Sequence, residues 1–207
     1  MKRFAVVLAI SVICLFTSSE VMLAQHHEMS SDSSHEHHNK KESTATKANT
    51  ASTSALRVTD ASVAASVKDL VDRYLDLKNA LANDKTKEAA TAGAALESAF
   101  KKFDKEGLTE AQRKLYVDVA DDAREQAEHI GDNAGKIEHQ REHFVMLSKD
   151  MYDLVTAFGT ERVLYKDFCP MYDNKKGAMW LSETKTIKNP YYGKKMLTCG
   201  SVQEEMK

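Results

Sequence analysis

The sequence predicts an all-α fold: an up-down four-helix bundle with an irregular C-terminal segment packed on it. Apolar residues recur at three- and four-residue spacing in four successive stretches, and the 207 residues include only 2 Pro and 8 Gly. This composition favours long helices over a sheet with many turns. Helices of roughly 20 to 25 residues with short connections pack most simply as a bundle. The chain divides into four segments: residues 1–24, 25–58, 59–159 and 160–207.

Residues 1–24 have the features of a secretory signal peptide. Two basic residues precede an apolar run from Phe4 to Phe16, and Ala24 is a small residue suited to cleavage, with a cut after Ser19 as the alternative. The run is too short for a membrane-spanning helix. We therefore expect a periplasmic or secreted protein with no transmembrane segment in the mature chain.

Residues 25–58 are rich in Ser, Thr, Ala, Asn, Lys and His and contain almost nothing apolar. Such a segment buries too little apolar surface to offset the entropy of ordering it, so we expect a disordered tether. It is either a weak collector of divalent metal ions or simply a polar linker. Its five histidines are His26, His27, His35, His37 and His38.

Residues 59–159 contain four amphipathic stripes, each read as one helix. Thr109 and Gln112 have the spacing of a capping box at the start of the third helix. The predicted helices run from near residue 59 to 82, from about 86 to before Gly107, from Thr109 to 130, and from about 134 to 158. Predicted inward positions include Tyr74, Leu96, Ile130 and Phe144.

Residues 160–207 lack a long amphipathic period and contain both prolines, the only Trp and two cysteines. An aromatic segment punctuated by Gly and Pro should pack onto the bundle rather than hang free. Short strands are expected around residues 163–168 and 195–199. We treat this segment as part of the same domain as the bundle.

The C-terminal segment offers two pairs of sulfur ligands: Cys169 with Met171, and Met196 with Cys199. Thiolate and thioether are the ligands that select Cu(I), and Ag(I) by the same softness. The alternative is that Cys169 and Cys199, which would remain after signal cleavage removes Cys14, form a disulfide. Such a bond would close a loop of about 30 residues and contribute about 3 kcal/mol. Both interpretations stay open.

A second candidate ligand set lies on the fourth helix. His139, His143 and Met146 step by four and three residues, which places them on one strip beside the apolar face. Two histidines at i and i+4 can bind one metal ion. Pairs of this spacing also occur by chance on solvated helices.

Other classes of function have little support. A net charge of -2 without a basic cluster gives no reason to expect nucleic-acid binding. The sequence contains no Gly-rich phosphate loop, no GxSxG, no HExxH and no paired CxxC motifs. We therefore expect a binding protein and not an enzyme.

Several motifs between residues 60 and 205 resemble a family of exported domains of unknown function. That family occurs alone or fused to periplasmic adaptor subunits of copper/silver efflux pumps. The motifs are HQREHF at 139–144, Leu147-Ser148, CPM at 169–171, GAMWLS at 177–182, Ile187, NPYYG at 189–193 and MLTCG at 196–200.

The resemblance implies a link to copper or silver export, with a periplasmic efflux adaptor as partner. The CPM motif is also similar to the metal-binding segment YxCPMHP of such pumps, although Tyr172 stands where that segment has His. We therefore expect a protein that binds Cu(I) or Ag(I) and sequesters the ion or passes it to efflux machinery. The alternatives are an interaction domain stapled by Cys169–Cys199, and a redox-responsive binder that releases metal when both thiols are oxidised.

Overall fold

The computed structural model describes residues 58–207. The predicted signal peptide, and the predicted tether up to residue 57, lie outside the described residues. Four long helices are followed by three short strands. The long helices and strands are α1 (Ala61–Ala82), α2 (Thr86–Lys102), α3 (Glu110–Asp132), α4 (Ile137–Phe158), β1 (Leu164–Cys169), β2 (Ala178–Ser182) and β3 (Ser201–Met206). A one-turn helix at Tyr172–Lys175 and a 3₁₀ turn at Gly193–Lys195 lie between the strands.

Side chains cap the first and third helices. Asp60 Oδ1 accepts hydrogen bonds from the backbone N–H groups of Ser62 (2.9 Å) and Val63 (3.1 Å) at the start of α1. At α3, Thr109 Oγ1 accepts from Gln112 N (3.3 Å), and Gln112 Oε1 accepts from Thr109 N (2.8 Å). The predicted capping box is therefore confirmed, and it satisfies N–H groups that have no partner within the helix.

The helices share one apolar core. Each long helix packs against the next, and α1 also packs against α4, as the bundle prediction requires. The predicted inward residues are buried, among them Tyr74 and Phe144, whose rings stack with centroids 5.2 Å apart. No helix within residues 58–207 is both long and apolar enough to cross a membrane.

The C-terminal segment forms a three-stranded antiparallel sheet of order β2-β1-β3, which corrects the all-α prediction. The strand expected near residues 163–168 is confirmed as β1. The strand expected at 195–199 is wrong, because those residues form the end of a 3₁₀ turn and a loop, and the strand begins at Ser201. β1 pairs with both neighbours: Cys169 lies opposite Ala178, and Phe168 lies opposite Ser201.

Buried hydroxyl groups attach the sheet to the helices. Tyr74 Oη of α1 accepts a hydrogen bond from the backbone N–H of Leu181 in β2 (3.0 Å) and lies 2.8 Å from Ser148 Oγ of α4. Tyr191 Oη donates to the carbonyl of Met179 in β2. Since β2 packs on α4, these bonds fix the sheet on the helix that carries the predicted histidines.

The turn between β1 and β2 requires a glycine. Gly177 has φ = +81°, and a Cβ at that position would lie 2.2 Å from Cζ of Phe168. The close approach lets the Phe168 ring cover the turn that follows Cys169.

An acidic side chain is buried on β1, within electrostatic range of Lys78 of α1. Asp167 is fully buried, and neither carboxylate oxygen has a hydrogen-bond partner among the described residues. Lys78, also buried, forms its ion pair with Glu183 instead, at 2.7 Å. Burial raises the pKa of Asp167 to about 7; the charge of Lys78 opposes this shift, and that of Glu183 adds to it. Asp167 is therefore protonated in the folded protein across the acidic range.

We predict that stability falls as the pH rises from about 4 to above 7. The folded protein holds the Asp167 proton up to about pH 7, whereas the unfolded chain releases it near pH 4. An Asp167→Asn variant removes the contribution of Asp167 to this dependence. Urea unfolding at pH 4 to 8 gives the free energy of unfolding of both proteins. The value for Asp167→Asn minus that for wild type should increase with pH by up to about 4 kcal/mol. Asp118→Asn, at an exposed position, is the control. Parallel pH curves for wild type and Asp167→Asn would contradict this account.

Candidate metal centre

Cys169 and Cys199 lie side by side. Cys169 is the last residue of β1 and is fully buried, whereas Cys199 lies in the loop before β3 and is partly exposed. Both are free thiols, and their Sγ atoms are 3.0 Å apart. This distance is longer than the ~2.05 Å of a disulfide bond. The fold thus brings together two sulfurs that are 30 residues apart in the chain.

Hydrogen bonds to backbone carbonyls fix the loop that carries Cys199. Asn189 Nδ2 donates to the Cys199 carbonyl (2.7 Å), and Cys199 N donates to the Met196 carbonyl (3.0 Å). On the other side of the pair, Tyr192 Oη donates to the Met171 carbonyl at 2.9 Å. Residues of the NPYYG motif therefore bind both the Cys199 loop and the Met171 backbone, and so keep the two halves of the predicted sulfur site together.

The Cys199 thiol favours the protonated state. The hydrogen bond with Cys169 and, to a lesser degree, burial raise the pKa of Cys199, while a hydrogen bond from the Met171 backbone N–H opposes this shift. A raised pKa keeps the Cys199 thiol protonated near neutral pH. A metal ion must therefore displace protons when it binds here, so its affinity should increase with pH.

The three methionines predicted as ligands lie at the surface. Met171, Met196 and Met146 are 42%, 39% and 52% exposed, so none of them fills the core. Met146 lines a cleft of about 440 Å³ together with Tyr172 and Tyr192. Met171 adjoins the thiol pair through its backbone N–H. Exposed thioethers are accessible donors for a soft ion.

Arg141 ties the C-terminal segment to the helices. Its side chain is buried, and its Nε donates to the Pro190 carbonyl at 2.8 Å. Its Nη2 donates to the Leu81 carbonyl (3.1 Å) and to Asp84 Oδ1 (2.6 Å) at the end of α1. One guanidinium group thus joins α1, α4 and the NPYYG loop.

His139 and His143 lie together on α4 with their Nε2 atoms 3.2 Å apart. His143 Nδ1 lies 2.7 Å from Gln126 Oε1 of α3, and His139 Nδ1 lies 3.4 Å from Glu142 Oε2. The ring of His129 stacks on that of His143, with centroids 4.6 Å apart. These contacts join the pair to α3.

The sulfur and histidine sets make separate contacts. The thiols contact each other and the loop residues around them, whereas the histidines contact each other and α3. Within residues 58–207, no group of three or more His, Cys, Asp or Glu side chains is arranged to hold a metal ion.

Residues 70–163 match the model of a family described as a protein of unknown function (DUF3347). No curated protein and no solved structure matches the chain. The matched stretch runs from α1 through α4 and so includes the histidine pair, whereas the thiol pair lies beyond it. The match supports a domain of unknown function, and the efflux link remains a prediction.

Some residues around these sites carried no recognisable sequence signal. Gln126 and His129 lie on α3, whereas His143 lies on α4. Spacing along one helix cannot reveal a contact between two helices. Arg141 lies within the HQREHF motif, but a charged side chain on a helix is normally solvated. Only its carbonyl and carboxylate partners explain why it is buried.

We predict that alkylation distinguishes the two thiols. In the folded, reduced protein, iodoacetamide should modify Cys199 well before Cys169, because only Cys199 reaches the surface. The rate of Cys199 modification should rise steeply above neutral pH, because the pKa of Cys199 is raised and the thiolate is the nucleophile. Mass spectrometry of peptides from a time course measures both rates. Equal rates in the folded protein would be inconsistent with a buried Cys169.

Proposed function

We propose that this protein binds a soft monovalent ion, Cu(I) or Ag(I), through Cys169 and Cys199. The observation that supports the proposal is the direct contact of the two free thiols, at 3.0 Å, next to Met171. Thiolates and thioethers are the donors that select such ions, and few other side chains compete for them. The role is that of a binding protein and not of an enzyme.

Loading requires a modest opening of the thiol pair. Two metal–sulfur bonds of ~2.3 Å that meet at about 120° span ~4.0 Å, so the sulfurs would separate by about 1 Å. Cys169 is held in the central strand of the sheet, whereas Cys199 lies in a loop and is partly exposed. We therefore assign the movement to Cys199.

Methionine supplies the third donor in this proposal. Met171 follows Cys169 by two residues, and its side chain is 42% exposed. Met196, three residues before Cys199, is 39% exposed. An ion bound by two thiolates and one exposed thioether can pass to another protein by ligand exchange, because the thioether bond can be replaced first.

The proposed task is to sequester the ion or to hand it to a periplasmic efflux adaptor. It rests on the motifs that resemble exported domains of copper/silver pumps and on the signal peptide expected at residues 1–24. The resemblance to the CPM segment of such pumps supports the same ligand types. The second predicted ligand set, His139, His143 and Met146, is not required for this role, because the histidines make separate contacts with each other and with α3.

We predict that the reduced full chain competes with a coloured Cu(I) chelator at a stoichiometry of one ion per thiol pair. Cys199→Ser should weaken the affinity by more than the roughly 10- to 100-fold that loss of an outer-shell partner costs. Met171→Leu should give a smaller loss, because the thiol pair remains. The absorbance of the chelator complex at rising protein concentration measures these affinities.

The control for this competition is Met151→Leu, which changes a methionine buried in α4. It should bind Cu(I) like wild type. If Cys199→Ser and wild type take copper from the chelator equally well, the thiol pair is not the site.

A structural staple is the second candidate function. The same contact supports it, because the sulfurs need to approach by only about 1 Å to form a bond of ~2.05 Å once a thiol oxidant of the exported compartment has accepted two electrons and both thiol protons have left. Trp180 and Tyr191 are buried around the sheet, which suits a C-terminal segment locked onto the bundle. In this case the domain acts as an interaction module, and the thiols are not ligands.

We predict two free thiols per mature chain when the protein is isolated from its native compartment under non-oxidising conditions. Unfolding in a thiol reagent, followed by mass spectrometry, gives the count directly. The chain after in vitro oxidation is the control for a closed bond. A disulfide in nearly all molecules, resistant to mild reductant, would favour the staple over metal binding.

A further inference from the structure

His139 and His143 face each other at hydrogen-bond distance on one side of α4. Their Nε2 atoms are 3.2 Å apart, and their rings meet nearly edge to face, at 83°. A hydrogen bond between them needs one Nε2 to carry a proton and the other to carry a lone pair. The groups at the opposite ring nitrogens decide whether that proton is present.

Both opposite nitrogens face oxygen acceptors. Gln126 Oε1 lies 2.7 Å from Nδ1 of His143, and Glu142 Oε2 lies 3.4 Å from Nδ1 of His139. An acceptor at Nδ1 favours the tautomer in which Nδ1 carries the proton. Each neutral ring then presents the lone pair of Nε2. Two lone pairs 3.2 Å apart repel each other unless a cation lies between them.

His129 lies beside this pair without joining it. Its ring lies nearly parallel to that of His143, at 8° and 4.6 Å, so it stacks and does not point at the Nε2 atoms. His129 is therefore not one of the proposed ligands.

The separation of the two nitrogens matches that of two ligands on one metal ion. Metal–nitrogen bonds of ~2.0–2.1 Å that meet at about 100° span ~3.2 Å. His139 and His143 are one helical turn apart, so α4 alone fixes this spacing. The outer partners Gln126 and Glu142 orient the rings as such partners do in metal sites.

We propose that His139 and His143 form a bidentate site for a borderline divalent cation of the Ni(II), Cu(II) or Zn(II) class, bound through both Nε2 atoms. Imidazole suits these ions, whereas Cu(I) prefers the sulfur donors of the thiol pair. Water fills the remaining positions, so the ion exchanges readily. The site does not depend on the thiol pair or on the function proposed for it.

Ni(II) is the probe for this site, because it is not reduced by thiols under ordinary conditions. The full chain is titrated with Ni(II), and its thermal unfolding midpoint is followed. An ion that binds the folded protein raises the midpoint, by about 5–10 °C at roughly 100 times its Kd. Ni(II) bound by the predicted tether or by the thiols contributes equally to every variant compared.

Two matched variants decide the outcome. His139→Gln removes one proposed ligand at a partly exposed helix position, and His129→Gln removes a neighbouring histidine that is not a ligand. Wild type and His129→Gln should show the same Ni(II)-dependent rise, and His139→Gln should lose most of it. An equal rise in wild type and His139→Gln, or no rise in wild type, overturns the proposal.

Discussion

Tyr74 and Ser148 share a buried hydrogen bond on which the position of the C-terminal sheet depends. Their hydroxyl oxygens lie 2.8 Å apart between α1 and α4, and Tyr74 Oη also accepts the Leu181 N–H of β2. Tyr191 adds a second bond to the same strand through the Met179 carbonyl. Loss of the Tyr74 hydroxyl would leave the Leu181 N–H unsatisfied, and loss of the Tyr191 hydroxyl would leave the Met179 carbonyl unsatisfied. Each such loss typically costs about 1–3 kcal/mol. These bonds therefore select one orientation of the sheet on the helices.

The position of the thiol pair follows from that orientation. β1 lies between β2 and β3, so the bonds that fix β2 also fix Cys169 at the end of β1. Arg141 holds the Pro190 carbonyl, and Asn189 holds the Cys199 carbonyl, so the loop returns to the end of β1 with its sulfur 3.0 Å from Cys169. The histidine pair lies on α4, the same helix that carries Arg141.

Local patterns determine the helical part of the fold, and non-local pairing determines the rest. The capping box at Thr109 and the inward stripes could be predicted because each involves neighbours along one helix. β2 was not expected, since AMWLS is almost wholly buried and lacks an alternating pattern. The strand expected at 195–199 is wrong because Asn189 holds those residues as a loop. Motifs identified the cysteines, but only the fold brings them together.

The most direct test of the account is X-ray absorption at the copper edge of the reduced full chain loaded with one Cu(I). The account predicts a first shell of two or three sulfur atoms at ~2.3 Å, which falls to at most two when Met171 is replaced by leucine. A first shell made only of nitrogen or oxygen atoms would contradict it. In that case the contact between Cys169 and Cys199 would serve the structure of the domain and not a metal ion.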